Sequence, residues 1–270
     1  MIVVSWIAAL VSCLGYGSAS VLQSVGARRV ATATGVGGVA AILVQAPYLL
    51  GLGLDGIAFL ANVIALRELP LFLVQTVLSA SIGVTAVLAF LRGAPFARRD
   101  WASLGVLAIG LVFLGVSATP EAATGLSLVA DWIILGSAVV PLAVLLAGLR
   151  LPERPSGLTL AAASGLGFTG VAVASRGLSV DRIGLGLLAE PLLWAVVVHG
   201  AIAMAAFALA LQRGAVTVVN AITFVIEMIV PSAVGIWLLG DHVRPGFEAY
   251  AVIGFLLAVA GTISLTRFAD

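Results

Sequence analysis

Charged residues are scarce in this sequence. They make up 9% of its 270 residues, whereas soluble domains carry about 25%. Lysine is absent, so all 13 basic residues are arginines, and a net charge of +1 excludes the basic surface that a nucleic acid needs. The single cysteine, Cys13, excludes an internal disulfide and a cysteine-based metal site. No catalytic triad motif, phosphate loop or metal-binding acidic cluster is present, so we expect neither an enzyme nor a cofactor.

Long apolar runs fill most of the chain. Hydrophobic residues account for 62% of it, and the mean hydropathy of +1.23 excludes an ordinary soluble domain. A membrane-spanning helix needs about 20 mostly apolar residues. The sequence therefore predicts an all-α polytopic transmembrane helix bundle of nine or ten spans. The nine are 2–26, 47–67, 71–91, 101–118, 127–148, 157–175, 189–212, 216–239 and 246–266, and the shorter run 30–46 is the tenth or a partly embedded helix.

The two halves of the chain resemble each other. Residues 65–75 align with 210–220, and 14–17 align with 166–169. We predict a first repeat over 1–118, a linking span within 119–156 and a second repeat over 157–270. An odd number of spans separates matching units, so the repeats are inserted upside down relative to each other. Inverted repeats are typical of secondary transporters, which bind their solute near the middle of the membrane.

Arginine placement predicts the orientation, because short cytoplasmic loops collect basic residues. With nine spans, one side carries nine arginines and the other side four (Arg67, Arg176, Arg182 and Arg244). With ten spans, Arg28 and Arg29 change sides and the difference nearly vanishes. The nine-span topology places the N-terminus outside and the C-terminus in the cytoplasm. Arginine in place of lysine, with abundant Ala, Val, Leu and Gly, is typical of a GC-rich bacterium, so we expect a bacterial cytoplasmic membrane.

Short motifs along nearly the whole chain resemble the drug/metabolite transporter superfamily, especially its EamA-like and NIPA-like members. The resemblance is carried by residues 15–20, 73–75, 98–101 and 239–241, and by Asn62 eight residues before Pro70. It implies a polytopic helical fold and transport of metabolites, drugs or, in the NIPA branch, magnesium. The NIPA-like pattern has Glu three residues before the Asn, where this chain has Phe59.

Three ionisable residues fall well inside predicted spans: Asp55, His199 and Glu227. Charged groups at this depth cost about 2.5–3.5 kcal/mol on insertion scales and are functional candidates by default. Asp55 and His199 occupy nearly equivalent positions in the two repeats, so both should lie near the middle of the membrane. Each also has a structural interpretation: a protonated, hydrogen-bonded acid for Glu227, a local cap for Asp55, and an interhelical hydrogen bond for His199.

Polar residues accompany these groups at helical spacing. Asn220 and Thr223 share a helix face with Glu227. In the first repeat, Gln75 and Tyr16 lie on polar faces of their own helices. Such faces must meet protein or a water-filled cavity rather than lipid.

Three hypotheses follow. The first is a transporter of a small metabolite or drug-like solute by alternating access. In it Glu227 couples transport to protons or binds a cation, Asp55 and His199 flank the cavity, and Asn220, Thr223, Gln75 and Tyr16 line it. The second is a magnesium carrier based on Asp55 and Asn62, since Mg²⁺ needs only one or two carboxylates.

The third hypothesis is a non-transporting scaffold or lipid-binding protein in the same bilayer.

A ladder of small residues in the last span predicts either helix packing or a homodimer surface; it comprises Gly254, Ala258 and Thr262.

Overall fold

Helices make up the framework of the described residues. The computed structural model describes residues 2–28, 45–121, 126–178 and 185–269. The helices are α1 (Ile2–Arg28), α2 (Ala46–Ala65), α3 (Leu71–Ser79), α4 (Ser81–Leu91), α5 (Arg98–Ser117), α6 (Leu128–Gly136), α7 (Val139–Leu149), α8 (Glu153–Gly177), α9 (Pro191–Arg213), α10 (Val216–Leu238) and α11 (Glu248–Leu265). Short 3₁₀ helices cover Leu185–Ala189 and Thr266–Ala269.

The described residues form nine segments that are long and apolar enough to cross a membrane. Two of these segments are interrupted: α3 and α4 are separated at Ala80, and α6 and α7 at residues 137–138. Large apolar side chains cover the outer surface; Trp237 is 81% and Leu91 70% exposed. In water such a surface would be unstable, so the fold is that of a multi-pass membrane protein. Of the run 30–46 that we considered as a tenth span, residues 30–44 lie outside the described residues.

The two repeats use the same helix pairing. In the first, α1 packs antiparallel on α2, and Gly15 allows the close approach of Ala58. In the second, α8 packs on α9, and Gly167 meets Ala203 in the same way. The sequence repeat had aligned Gly15 with Gly167. Because α1 and α8 run in opposite directions through the bundle, the repeats are inverted, and α6 and α7 link them by packing against α8 and α9.

The two ends of the bundle differ in charge. One end, which we call the arginine-rich end, is where α4, α7, α9 and α11 finish; it carries Arg92, Arg98, Arg99, Arg150, Arg213 and Arg267. Arg267 pairs there with the buried Asp100. The Asp100 carboxylate also accepts the Ala97 amide at 2.6 Å and caps the first turn of α5. Helix α5 therefore begins at Arg98, three residues before the predicted start at residue 101. The other end, the capped end, is formed by residues 66–71, 117–121, 176–178 and 239–244. Antiparallel packing of α1 on α2 places the end of α1 beside the start of α2, as the nine-span topology requires.

The small-residue ladder of α11 packs inside the chain. Gly254 and Ala258 contact Gly110 of α5 so closely that a Cβ atom at Gly110 would lie 2.6 Å from the Ala258 nitrogen. Thr262 is also buried. The ladder is therefore used for helix packing within the chain, and a homodimer through another surface stays a prediction.

Candidate functional site

A central cavity of about 510 Å³ lies between the two repeats. Helices α1, α2, α3 and α4 line it from the first repeat, and α8, α9 and α10 line it from the second. Its size falls within the range of small-molecule sites, about 300–1,000 Å³.

The cavity collects seven of the eight residues proposed from the sequence. They come from four helices and comprise Tyr16, Asp55, Asn62, Gln75, Asn220, Thr223 and Glu227. On α10 the predicted spacing explains this placement, because Asn220, Thr223 and Glu227 share the face that points toward α8 and the cavity. The Thr223 hydroxyl donates to the Ala161 carbonyl at 3.3 Å, so this residue also ties α10 to α8.

Two carboxylates enter the cavity from opposite repeats. Asp55 accepts a hydrogen bond from the Gln23 side-chain amide, which orients it toward α1. Glu227 has no hydrogen-bond partner among the described residues. The Tyr16 hydroxyl lies within electrostatic range of both acids. One carboxylate is therefore held in place, and the other is left for a ligand or a proton.

His199 does not flank the cavity as predicted. Its ring is 1% exposed and packs against Gly170 of α8, where a Cβ atom would lie 1.9 Å from its Cδ2 atom. Its Nδ1 atom lies 2.9 Å from the Ala195 carbonyl and its Nε2 atom 3.2 Å from the Ser137 hydroxyl. Because Gly170 provides room for the ring between helices, the histidine joins α9 to α8 and to residue 137. The alternative of an interhelical hydrogen bond is what the structure shows.

Three oxygen atoms on the cavity wall are buried without partners among the described residues. They are Asn62 Oδ1, Gln75 Oε1 and Ser79 Oγ. Their residues are 4%, 1% and 2% exposed, respectively. A buried acceptor without a hydrogen bond costs about 1–3 kcal/mol. Because each of these atoms has almost no accessible surface, a solute in the cavity does not reach them in this arrangement of the helices.

A buried ion pair closes the bundle at the capped end. Arg176 at the end of α8 donates to Asp241 at 2.9 Å and to the Leu69 and Leu66 carbonyls. Asp241 in turn accepts the Leu71 amide at 2.5 Å. Burial raises the pKa of the Asp241 carboxyl, and the attraction of Arg176 opposes that rise. The loops after α2, α8 and α10 are thus joined directly beyond the cavity.

The cavity continues toward the arginine-rich end. A second cavity of about 640 Å³ shares Ser20 and Thr85 with the central one. It extends along the last turns of α1 and α4 to Arg92 and Arg267. Ser20 is exposed, whereas Leu66, Leu69 and Leu71 at the capped end are fully buried. Within the described residues, the site is therefore open at the arginine-rich end of the bundle and closed at the capped end.

The described part of the chain holds no group of three or more His, Cys, Asp or Glu side chains that could bind a metal ion. Asp55 and Asn62, the pair in the magnesium hypothesis, do line the same cavity. A metal there would depend on Asp55 and Glu227 with amide oxygens and water.

Sequence reasoning missed three parts of this site. Gln23 was visible only as a polar residue on α1, and its contact with Asp55 spans 32 positions. Arg176 and Asp241 were visible as charges at span ends, but their pairing across 65 positions has no local signal. The aromatic residues of the cavity wall were not predicted, because contact with lipid explains apolar residues in these helices equally well.

Comparisons with known proteins identify no relative. No family model, no curated protein and no solved structure matches this chain.

Proposed function

We propose that this protein is a secondary transporter that moves a small solute across the membrane by alternating access. The observation that carries the proposal is the central cavity, which lies between inverted repeats, is open at the arginine-rich end and is closed at the capped end. Transporters with inverted repeats place their site at the repeat interface and open it to each side in turn. The resemblance to the drug/metabolite transporter superfamily agrees with this function.

The cavity residues have distinct roles in this mechanism. Glu227 is the proton-coupling or cation-binding acid, because it enters the cavity without a protein partner. Asp55, oriented by Gln23, faces it from the first repeat. The Arg176–Asp241 pair belongs to the closed gate and separates when the repeats rock to the opposite state.

The positive-inside rule gives the orientation. It places the arginine-rich end in the cytoplasm of a bacterium, with the C-terminus inside and the N-terminus outside. The structure is then the state open to the cytoplasm. The bilayer is its environment, and a small molecule or ion is its substrate.

Magnesium transport is the second candidate, favoured by the shared location of Asp55 and Asn62. Flux of magnesium that is lost in Asp55→Asn but kept in Glu227→Gln would support it. A scaffold, in contrast, requires no open, polar cavity.

Flux in proteoliposomes tests the proposal. Purified protein is reconstituted around a trapped pH-sensitive dye and exposed to amino acids, amines, nucleosides, carboxylates and magnesium. We expect at least one solute to move protons in wild-type vesicles and none to do so in Glu227→Gln vesicles.

The matched control is Glu248→Gln, the same chemical change at an exposed residue outside the cavity, and it should keep the flux. Equal flux in Glu227→Gln would contradict the coupling role. Absence of a pH change with every solute would contradict proton-coupled transport.

A further inference from the structure

The charged side chains that line the central cavity among the described residues are both acidic. They are the carboxylates Asp55 and Glu227, one from each repeat. None of the described residues that line it is Lys, Arg or His. A ligand that satisfies this wall must bring hydrogen-bond donors and positive charge, whereas an anion would meet two acids and no compensating base.

Aromatic rings form much of the remaining wall. Tyr16 and Phe59 contribute from the first repeat, and Phe168, Phe207 and Phe224 contribute from the second. The faces of such rings attract cations, and their apolar surface also buries hydrocarbon. Rings from both repeats thus surround the volume into which the carboxylates point.

We propose, as a deepening of the transporter function proposed above, that the solute is a small organic cation with a primary ammonium group and an apolar body. The ammonium group has three hydrogen-bond donors, and Glu227, which lines the cavity without a hydrogen-bond partner among the described residues, accepts from it. The apolar body lies against the aromatic rings. Hydrated Mg²⁺ keeps several water ligands and gains nothing from these rings, so the wall favours an organic cation over a metal ion.

Three probes that share one carbon skeleton test this assignment. Phenethylammonium, 2-phenylethanol and phenylacetate carry a positive, a neutral and a negative group on the same phenylethyl or phenylacetyl frame. Each is titrated calorimetrically into purified protein at neutral pH. We expect phenethylammonium to bind at least about tenfold more tightly than either of the others, since charge-assisted hydrogen bonds are about twice as strong as neutral ones.

Variants locate the binding. Glu227→Gln should weaken phenethylammonium by about tenfold, and Glu248→Gln should leave it unchanged. Phe168→Leu provides a second measurement if Glu227→Gln fails to fold. It should weaken phenethylammonium more than 2-phenylethanol, because both probes lose apolar contact with the ring but only the cation also loses its electrostatic attraction to the ring face.

Several results would overturn the assignment. One is binding of phenylacetate or 2-phenylethanol that is as tight as that of phenethylammonium or tighter. The others are no binding of any organic probe, and binding of MgCl₂ without binding of phenethylammonium. Failure of the substrate class is distinguishable from failure of transport, because the flux panel includes neutral and anionic solutes. Flux of a neutral or anionic solute would support transport and contradict an organic cation as the substrate.

Discussion

Single residues decide how the buried polar groups of this protein are used. Asp55 and His199 occupy nearly equivalent positions in the repeats, yet only Asp55 reaches the cavity. Gly170 makes the difference, because the histidine ring occupies the space beside it and bonds to Ala195 and Ser137. Equivalent sequence positions therefore do not guarantee equivalent roles, and the neighbour on the facing helix determines the outcome.

Substitution of Gly170 tests this packing. Gly170→Ala places a methyl group 1.9 Å from the His199 Cδ2 position and must displace the ring. We expect a loss of about 1–3 kcal/mol in the free energy of unfolding, the usual cost of overpacking, seen as a lower thermal midpoint in detergent.

Gly200→Ala is the matched control beside His199, since the nearest atom to its new Cβ lies 3.7 Å away. It should be neutral or slightly stabilising. Equal midpoints for both variants would show that the ring is not confined by Gly170.

The positions of the membrane-spanning helices agree closely with the sequence prediction, because the thickness of the bilayer sets the length of each helix. All nine predicted spans are present among the described residues, because about 20 apolar residues are needed to cross the membrane. The interruption at Ala80 and that at residues 137–138 were not predicted, since hydropathy continues unbroken through both. The capped end was not predicted either, because its contacts join loops that are far apart in sequence.

The capped end should contribute strongly to stability. Asp241→Asn keeps the size of the side chain but leaves the Arg176 guanidinium buried without its charged partner. We expect a loss of about 3–5 kcal/mol, the usual result of breaking a buried ion pair from one side. Chemical denaturation in detergent measures it.

Glu121→Gln is the control at the same end of the bundle. Its side chain pairs with His242 at 3.3 Å, but both side chains are about half exposed or more. Exposed pairs contribute about 0–1 kcal/mol, so a small effect is expected. If Asp241→Asn is as mild as Glu121→Gln, the capped end is not held by this ion pair.

For the molecule as a whole, the pairing of the helices could be predicted from the sequence, whereas the conformational state of the cavity could not. The repeat alignment anticipated the inverted pairing of α1 with α2 and α8 with α9, because both pairings depend on small residues at matching positions. Helical spacing, not the alignment, predicted polar faces on α1, α3 and α10, and residues of these faces line the central cavity. The state of that cavity, open at one end and closed at the other, depends on contacts such as Arg176–Asp241 that no single-sequence pattern reveals.

Alternating access requires that one cavity residue be reachable from both sides of the membrane. Ser81 is suited to the test because it lines the central cavity, is partly exposed and begins α4 in the middle of its span. A cysteine there, on a Cys13→Ala background, can be labelled with a membrane-impermeant maleimide applied to either face of sealed vesicles. Ser24→Cys and His242→Cys serve as one-sided references, since both side chains are exposed, at the arginine-rich end and the capped end respectively.

Two-sided labelling of Ser81→Cys is the measurement that tests the transporter most directly. The account predicts modification of Ser81→Cys from both faces, faster from the face that labels Ser24→Cys, because the structure is open there. Modification from the Ser24→Cys face only, however long the exposure, would contradict alternating access and leave the cavity as a one-sided pocket.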